Sequence, residues 1–244
     1  MSVSPAEAVP VRRRRADPGQ GPRLRELLLD SAEGLLVETG DEAALTLRAV
    51  ARRAGVTTPS LYLHFPDKQA LVGAVALRVW DQLELGMRQA QGSTADPFQA
   101  LRRSGAAYVR FAIEHPHQYR LLMVRRAPDG PDGPQQTAAR ACLAHVVAAT
   151  RACTEAGVLV GDPEQLALRM WSAVHGCATL LISHPYFPWP DDLDELGSDV
   201  ARMAGLGTAV LGRLRADGRT WSSPTFAAAF DELPQRLQSL DRPT

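Results

Sequence analysis

The sequence predicts an all-α protein, and three observations carry that expectation. Apolar residues recur at helical spacing (i, i+3, i+4, i+7) through most of the chain between Arg23 and Gly212. No stretch alternates apolar and polar residues with β-branched side chains, as a half-buried strand would. The interruptions fall at Gly and Pro, which punctuate helices, and they divide the chain into about nine of them.

The elements follow in order. Residues 1–22 are rich in Pro, Gly and Arg and are expected to form a disordered basic arm. Its run Arg12–Arg15 is either a solvated tail or an arm that enters a minor groove. The first helix begins at Arg23, carries Leu24, Leu27, Leu28 and Leu35 on one face, and stops at Gly40. The short loop "DEAAL" leads to Thr46, a good N-cap for a two-turn helix with the stripe Leu47, Val50, Ala51, Ala54. Gly55 turns the chain. Thr57 or Thr58 caps a third helix, with Pro59 near its first position, where a missing N–H costs nothing. That helix runs through Leu61 and Leu63 to about His64, before Pro66. Further helices are expected from Asp67 to about Gln91, from Asp96 to Glu114, and over a short segment with Tyr119, Leu122 and Met123. After a loop at Ala127–Pro134 come helices at about 135–156, 163–183 and 197–215, the last two joined by the irregular "SHPYFPWPDDLDELG". The tail 217–244 reads equally as a docked helix or a loose end.

Composition narrows the function. A chain of 244 residues holds one large domain or two modest ones. The net charge of zero gives no overall basic field, and the slightly basic N-terminal third permits a nucleic-acid partner without arguing for one. Cys142, Cys153 and Cys177 are odd in number and form no CxxC, as expected of a reduced, cytoplasmic protein. The six histidines are scattered, and His115 and His117 flank a Pro at the wrong spacing for one helix face, so neither a metal nor a cofactor is expected. No apolar run approaches ~18 residues, so no membrane span is expected. The N-terminus has charge but no apolar stretch after it, unlike a signal peptide. No GxSxG, paired metal ligands or phosphate loop supports an enzyme, and "GLGTAVLG" (205–212) follows no strand and lacks the third Gly of a dinucleotide loop.

The segment from Leu47 to Pro66 has the grammar of a helix-turn-helix. Ala51 is small where two helices cross, Gly55 supplies the tight turn, and Val56 and Leu61 pin the second helix. The expected recognition helix buries Leu61 and Leu63 and exposes Thr58, Ser60, Tyr62 and His64 between them. Thr57, Thr58, Pro59 and Ser60 would face base edges, and Thr46, Tyr62 and Lys68 would reach phosphates. Arg48 either touches the backbone or is simply solvated. His64 either contacts DNA or holds the turn at Phe65, itself a core residue. Lys68 is the only lysine beside 26 arginines, a hint of a site that wants a compact charge.

"LTLRAVARRAGVTTPSLYLHFPDKQALVGAV" (45–75) resembles the DNA-binding module of TetR-family transcriptional regulators. The resemblance rests on the run Tyr62, His64, Phe65, Asp67, Lys68 and covers about residues 23–75. "FAIEHPHQYRLLM" (111–123) and "WSAVHGCATL" (171–180) resemble the branch whose C-terminal domain carries Trp-x-x-x-His-Gly, here Trp171, His175 and Gly176. The resemblance implies a three-helix DNA-binding domain at 23–69 and a larger helical ligand-binding and dimerisation domain at 70–216. It implies phosphate contacts by Tyr62 and Lys68, and a homodimer built by the last two main helices on a palindromic double-stranded DNA operator. Trp80, Tyr108, Phe111, Tyr119, Met123, Trp171 and His175 lie on helices that the family arranges around a pocket for a small-molecule effector, although each alone reads as core. For His175, packing against Trp171 and a neighbouring helix is favoured over ligand contact. The expected function is a repressor released by an apolar or aromatic ligand. The alternatives are an activator of the same fold and a DNA-binding dimer whose C-terminal domain binds no small molecule.

Overall fold

The computed structural model describes residues 20–124, 130 and 132–215. Arg12–Arg15, the tail at 217–244 and half of the Ala127–Pro134 loop lie outside the described residues. Among those described, nine α-helices and one 3-10 turn follow one another: α1 (Gln20–Thr39), the 3-10 turn (Glu42–Ala44), α2 (Leu47–Arg53), α3 (Thr58–Tyr62), α4 (Lys68–Gln91), α5 (Pro97–Glu114), α6 (Pro116–Val124), α7 (Pro134–Glu155), α8 (Pro163–Ser183) and α9 (Leu193–Arg215). The fold is all-α, with no strand among these residues.

Contacts group the chain into two compact units. One holds the described residues up to Gln82 together with His115–Ala138; the other holds Leu83–Glu114 and the described residues from Ala139 onward. The expected domain boundary between 69 and 70 therefore falls inside the first unit. Two tertiary features place it there. Arg78 of α4 meets Asp30 of α1 at 2.6 Å and lies near Glu26 and Glu33, at 3.6 and 3.4 Å. The distant helix α6 packs against α1. The core of this unit is Leu28, Ala32 and Leu36 of α1, Val50 and Ala51 of α2, Leu61, Phe65, and the stripe Leu71, Val72, Val75, Ala76, Val79 of α4.

In the second unit α5, α8 and α9 pack against one another. Small residues set the approach of α5 to α9. A Cβ on Gly197 would stand 2.7 Å from Val109 Cγ1; one on Gly105 would meet the Ala201 methyl at 3.2 Å; one on Gly205 would meet the Phe98 ring at 3.1 Å. Helix α9 begins at Leu193 rather than near 197, because the Asp192 carboxylate accepts the N–H of Glu195 at 2.7 Å and starts the helix inside the stretch expected to be irregular. Helix α8 is capped in the same way by Asp162, which accepts from Gln165 N at 2.9 Å, with Pro163 in the first turn.

Helix α8 also corrects the expectation that no apolar run is long enough to span a bilayer. It has 21 residues and a mean hydropathy of 1.2 over its most apolar window, enough by length and composition. Its Ala, Gly, Cys and Ser residues disguise this in the sequence. One face (Leu166, Ala167, Met170, Val174, Ala178, Leu181) is buried, as in a core helix, while Leu168 and Leu180 are exposed.

Candidate functional site

The helix-turn-helix is assembled by its own side chains. Thr46 caps α2, its hydroxyl accepting from Ala49 N at 3.1 Å. Gly55 adopts φ +69° with open space around it, so the left-handed backbone and not crowding requires glycine. The turn closes through Val56 N to Ala51 O at 3.0 Å. Thr57 is the cap of α3: its Oγ1 accepts from Ser60 N at 3.4 Å and shares a 2.8 Å hydrogen bond with Ser60 Oγ. Leu61 and Phe65 are buried and anchor α3, and Leu61 O accepts the N–H groups of His64 and Phe65.

The outward face differs from the expectation at Leu63 and in the partial burial of Thr58, Ser60 and His64. Leu63 is not buried beside Leu61; it is 84% exposed, more than Tyr62 at 53%. Residues two apart on a helix of 3.6 residues per turn point to opposite sides, so one helix face cannot bury both leucines. Pro59 and Arg48 are also exposed, while Thr58, Ser60 and His64 are half-buried. The hydroxyls of Thr46 and Thr57, expected at the DNA, already serve as caps within the motif, and that of Ser60 bonds to Thr57. Leu63 is the outward residue that the pattern missed, and the helical period was the signal that exposes it.

Lys68 has a local task. Its ammonium donates to Glu42 O at 2.8 Å and to Ala43 O at 3.2 Å, tying the start of α4 to the 3-10 turn before α2. An ammonium carries three N–H groups, so one remains for a phosphate. A planar guanidinium would not direct two donors from one compact centre onto adjacent carbonyls in the same way. Around the motif, Arg53 makes two hydrogen bonds with Glu38 (2.6 and 2.7 Å) across Gly34 of α1, and these hold the Glu38 carboxyl below its usual range. Burial pushes Glu33 up, against the pull of Arg78. The imidazole of His117 on α6 lies over Gly40, which has φ +67°; a Cβ there would stand 2.8 Å from Cε1.

A cavity lies in the second unit, walled by α4, α5, α7, α8 and α9. Met87, Phe98, Tyr108, Met170, Trp171 and Val174 make it mostly apolar, with Arg102 and Ser104 as polar exceptions. The space open to the centre of a water-sized sphere is about 30 Å³. Tyr108 Oη and His175 Nδ1 are 2.8 Å apart, and His175 stacks on Trp171 with centroids 4.8 Å apart. Burial lowers the pKa of His175. Of the residues expected at a pocket, the structure thus brings Tyr108, Trp171 and His175 together. Phe111 is half-buried on α5, outside the wall. Trp80, Tyr119 and Met123 belong to the first unit, where Tyr119 is core. No group of three or more His, Cys, Asp or Glu among the described residues is arranged to hold a metal.

Two family models match the chain. Residues 28–75 match "Bacterial regulatory proteins, tetR family", and residues 101–204 match "Tetracyclin repressor-like, C-terminal domain". The HTH-type transcriptional activator FasR of Mycolicibacterium smegmatis is 41% identical over 133 residues, 54% of this chain and 56% of FasR. The HTH-type transcriptional regulator Rv0681 of Mycobacterium tuberculosis, itself uncharacterised, is 34% identical over 160 residues, 64% of this chain and 69% of that protein. Among solved structures, a protein of unknown function from Rhodococcus sp. RHA1 is 28% identical with a TM-score of 0.68, covering 79% of this chain and 99% of its own. Both family models and both named mycobacterial relatives are of transcriptional regulators. The chain belongs to the tetR family of bacterial regulatory proteins.

Proposed function

We propose that the protein binds a palindromic DNA operator as a homodimer in the cytoplasm and represses transcription until a small apolar or aromatic ligand enters the second unit and releases it. The observation that carries the DNA-binding part is α3: a five-residue helix with a self-supplied cap, one buried anchor, and Pro59, Tyr62 and Leu63 facing outward. On DNA its N-terminal end would face base edges, and Tyr62, Arg48 and the remaining N–H of Lys68 would reach phosphates. Thr58 and Leu63 would supply apolar contacts to thymine methyl groups.

The homodimer is supported by the apolar surface of the last two helices: Leu168 and Leu180 on α8, and Met203, Leu206 and Leu211 on α9, are exposed. Two recognition helices would then address half-sites about one DNA turn apart (~34 Å). Release by a ligand requires that it bind one of two states better; a tenfold loss of DNA affinity takes ~1.4 kcal/mol of differential binding.

Activation is the second reading, and FasR, named as an activator, favours it. The position of the operator relative to the promoter in a reporter assay separates the two. DNA binding itself is tested by fluorescence anisotropy with duplexes from the protein's own upstream region and a scrambled control across a salt series. Selective binding with a steep salt slope supports the proposal. Equal, weak binding to every duplex recovered from a genome-wide selection would end it.

A further inference from the structure

The second unit contains a polar group that its own fold leaves unused. Ser104 stands in the middle of α5, 2% exposed, on the wall of the cavity, and its hydroxyl has no hydrogen-bond partner. Serine in a helix ordinarily returns its hydroxyl to the carbonyl four residues back, as Ser31 does to Leu27 O at 2.7 Å and Ser172 to Leu168 O at 2.7 Å. A buried hydroxyl without a partner is costly, and such groups are rare in folded proteins. The neighbouring side chains of the wall offer it no strong acceptor: Met87, Val146, Met170 and Val174 are apolar, and the Tyr108 hydroxyl is engaged with His175. Nearer the start of the same helix, Arg102 is half-buried, lines the cavity, and forms no ion pair among the described residues.

We propose that Ser104 is the hydrogen-bond donor of an effector site, and that the effector is a slim, largely apolar molecule bearing one acceptor group, a carbonyl or carboxylate oxygen, which Ser104 Oγ–H meets inside the cavity. This rests on the reading of the second unit as the effector-binding part of the protein. The apolar wall selects the body of the ligand by burial, and the single donor selects its head. The present space, about 30 Å³, takes roughly two waters by the usual measure of ~10–15 Å³ each. A molecule of six or more carbons therefore enters only by displacing the wall. The parts able to yield are the flexible Met87 and Met170 thioethers and the Phe98 ring, which rests on Gly205 of α9. Because the Phe98 ring of α5 rests on Gly205 of α9, displacing it bears on the close α5–α9 seam, so binding is coupled to the packing of these two helices.

The test uses the full-length protein and two matched series: alkan-2-ones of six to twelve carbons, and the 2-methyl-1-alkenes of the same length, which replace the carbonyl oxygen by CH2 with little change of shape. Binding is read by titration calorimetry and by the fluorescence of Trp171 in the wall, with Trp171→Phe identifying its signal. The expected result is that the ketone-to-alkene affinity ratio falls about fivefold in Ser104→Ala, the weight of one neutral hydrogen bond. Alkenes should bind the variant as well as they bind the wild type. Matched alkanoates form a third arm: a carboxylate that outbinds the ketone and loses its gain in Arg102→Gln supports the proposal with an anionic head, and equal affinity supports it with a neutral one. An unchanged ketone-to-alkene ratio in Ser104→Ala overturns it, as does failure of all three series to bind. The anisotropy experiment on DNA is independent of these titrations, so operator binding that succeeds while the cavity refuses every probe sinks this inference alone.

Discussion

At the scale of single residues, the structure gives several side chains tasks that composition does not reveal. Gly40 is fixed twice, by its left-handed backbone and by the His117 imidazole seated where a Cβ would go. Gly40→Ala should therefore lower stability by at least the ~1–2 kcal/mol of an L-residue forced left-handed, read as a drop in the urea midpoint. Gly55→Ala, with open space around it, should cost only the backbone part. Two histidines set an acid limit. His175 is held low by burial, and His145, hydrogen-bonded to Gln91 at 2.8 Å, is held low by burial and then by Arg88. The unfolded chain takes up these protons first, so stability is full above the ordinary histidine pKa near 6.5 and falls as the pH drops through and below it. The urea midpoint should decline between pH 7.5 and 5.5, and His175→Gln should flatten that decline. Burial also pushes the Cys142 and Cys153 thiols up to about 11, so both should resist alkylation at pH 8 until the protein unfolds.

At the scale of elements, the caps and the α5–α9 seam carry most of the definition. Asp162→Ala removes the acceptor for Gln165 N at the start of α8 and should cost ~1 kcal/mol, seen in thermal or urea unfolding. Gly197→Ala places a methyl within 3.0 Å of Val109 Cβ and should cost ~1–3 kcal/mol, unless α9 shifts. The helix-turn-helix was readable in the sequence because its determinants are local: caps, a turn glycine and an anchoring leucine within twenty residues. Leu63 was misplaced because two leucines were assigned by apolarity rather than by helical angle. The start of α9 was missed because Asp192 sits among Pro and Asp residues that read as loop. The cavity wall was only partly readable. Tyr108 and Trp171 share it, but whether Trp80, Tyr119 or Met123 joins them depends on how distant segments fold back, and α6 with the first half of α4 packs into the other unit. Ser104 carried no signal at all, since its meaning lies in a hydrogen bond not made.

At the scale of the whole molecule, the exposed apolar residues of α8 and α9 should be covered by a second copy. Leu206→Glu is expected to shift the protein from dimer to monomer in light scattering and to weaken operator binding by orders of magnitude, because half of the half-sites are lost. Tyr62→Phe should weaken operator and scrambled duplexes alike, while Leu63→Ser should erode the preference between them. Lys68→Met belongs to a different class: it unties α4 from the 3-10 turn before α2, so it should lower both DNA affinity and the unfolding midpoint. The build of α3 has an evolutionary consequence. Its folding depends on Thr57, Leu61 and Phe65, which face inward or along the chain, and on Pro59 in its first turn, while the exposed Tyr62 and Leu63 contribute little to holding it together. A descendant can alter the outward set without first acquiring a compensating mutation elsewhere. If Leu63 meets base edges as proposed, duplicated copies of such a gene are free to drift apart in the sites they address while keeping one scaffold.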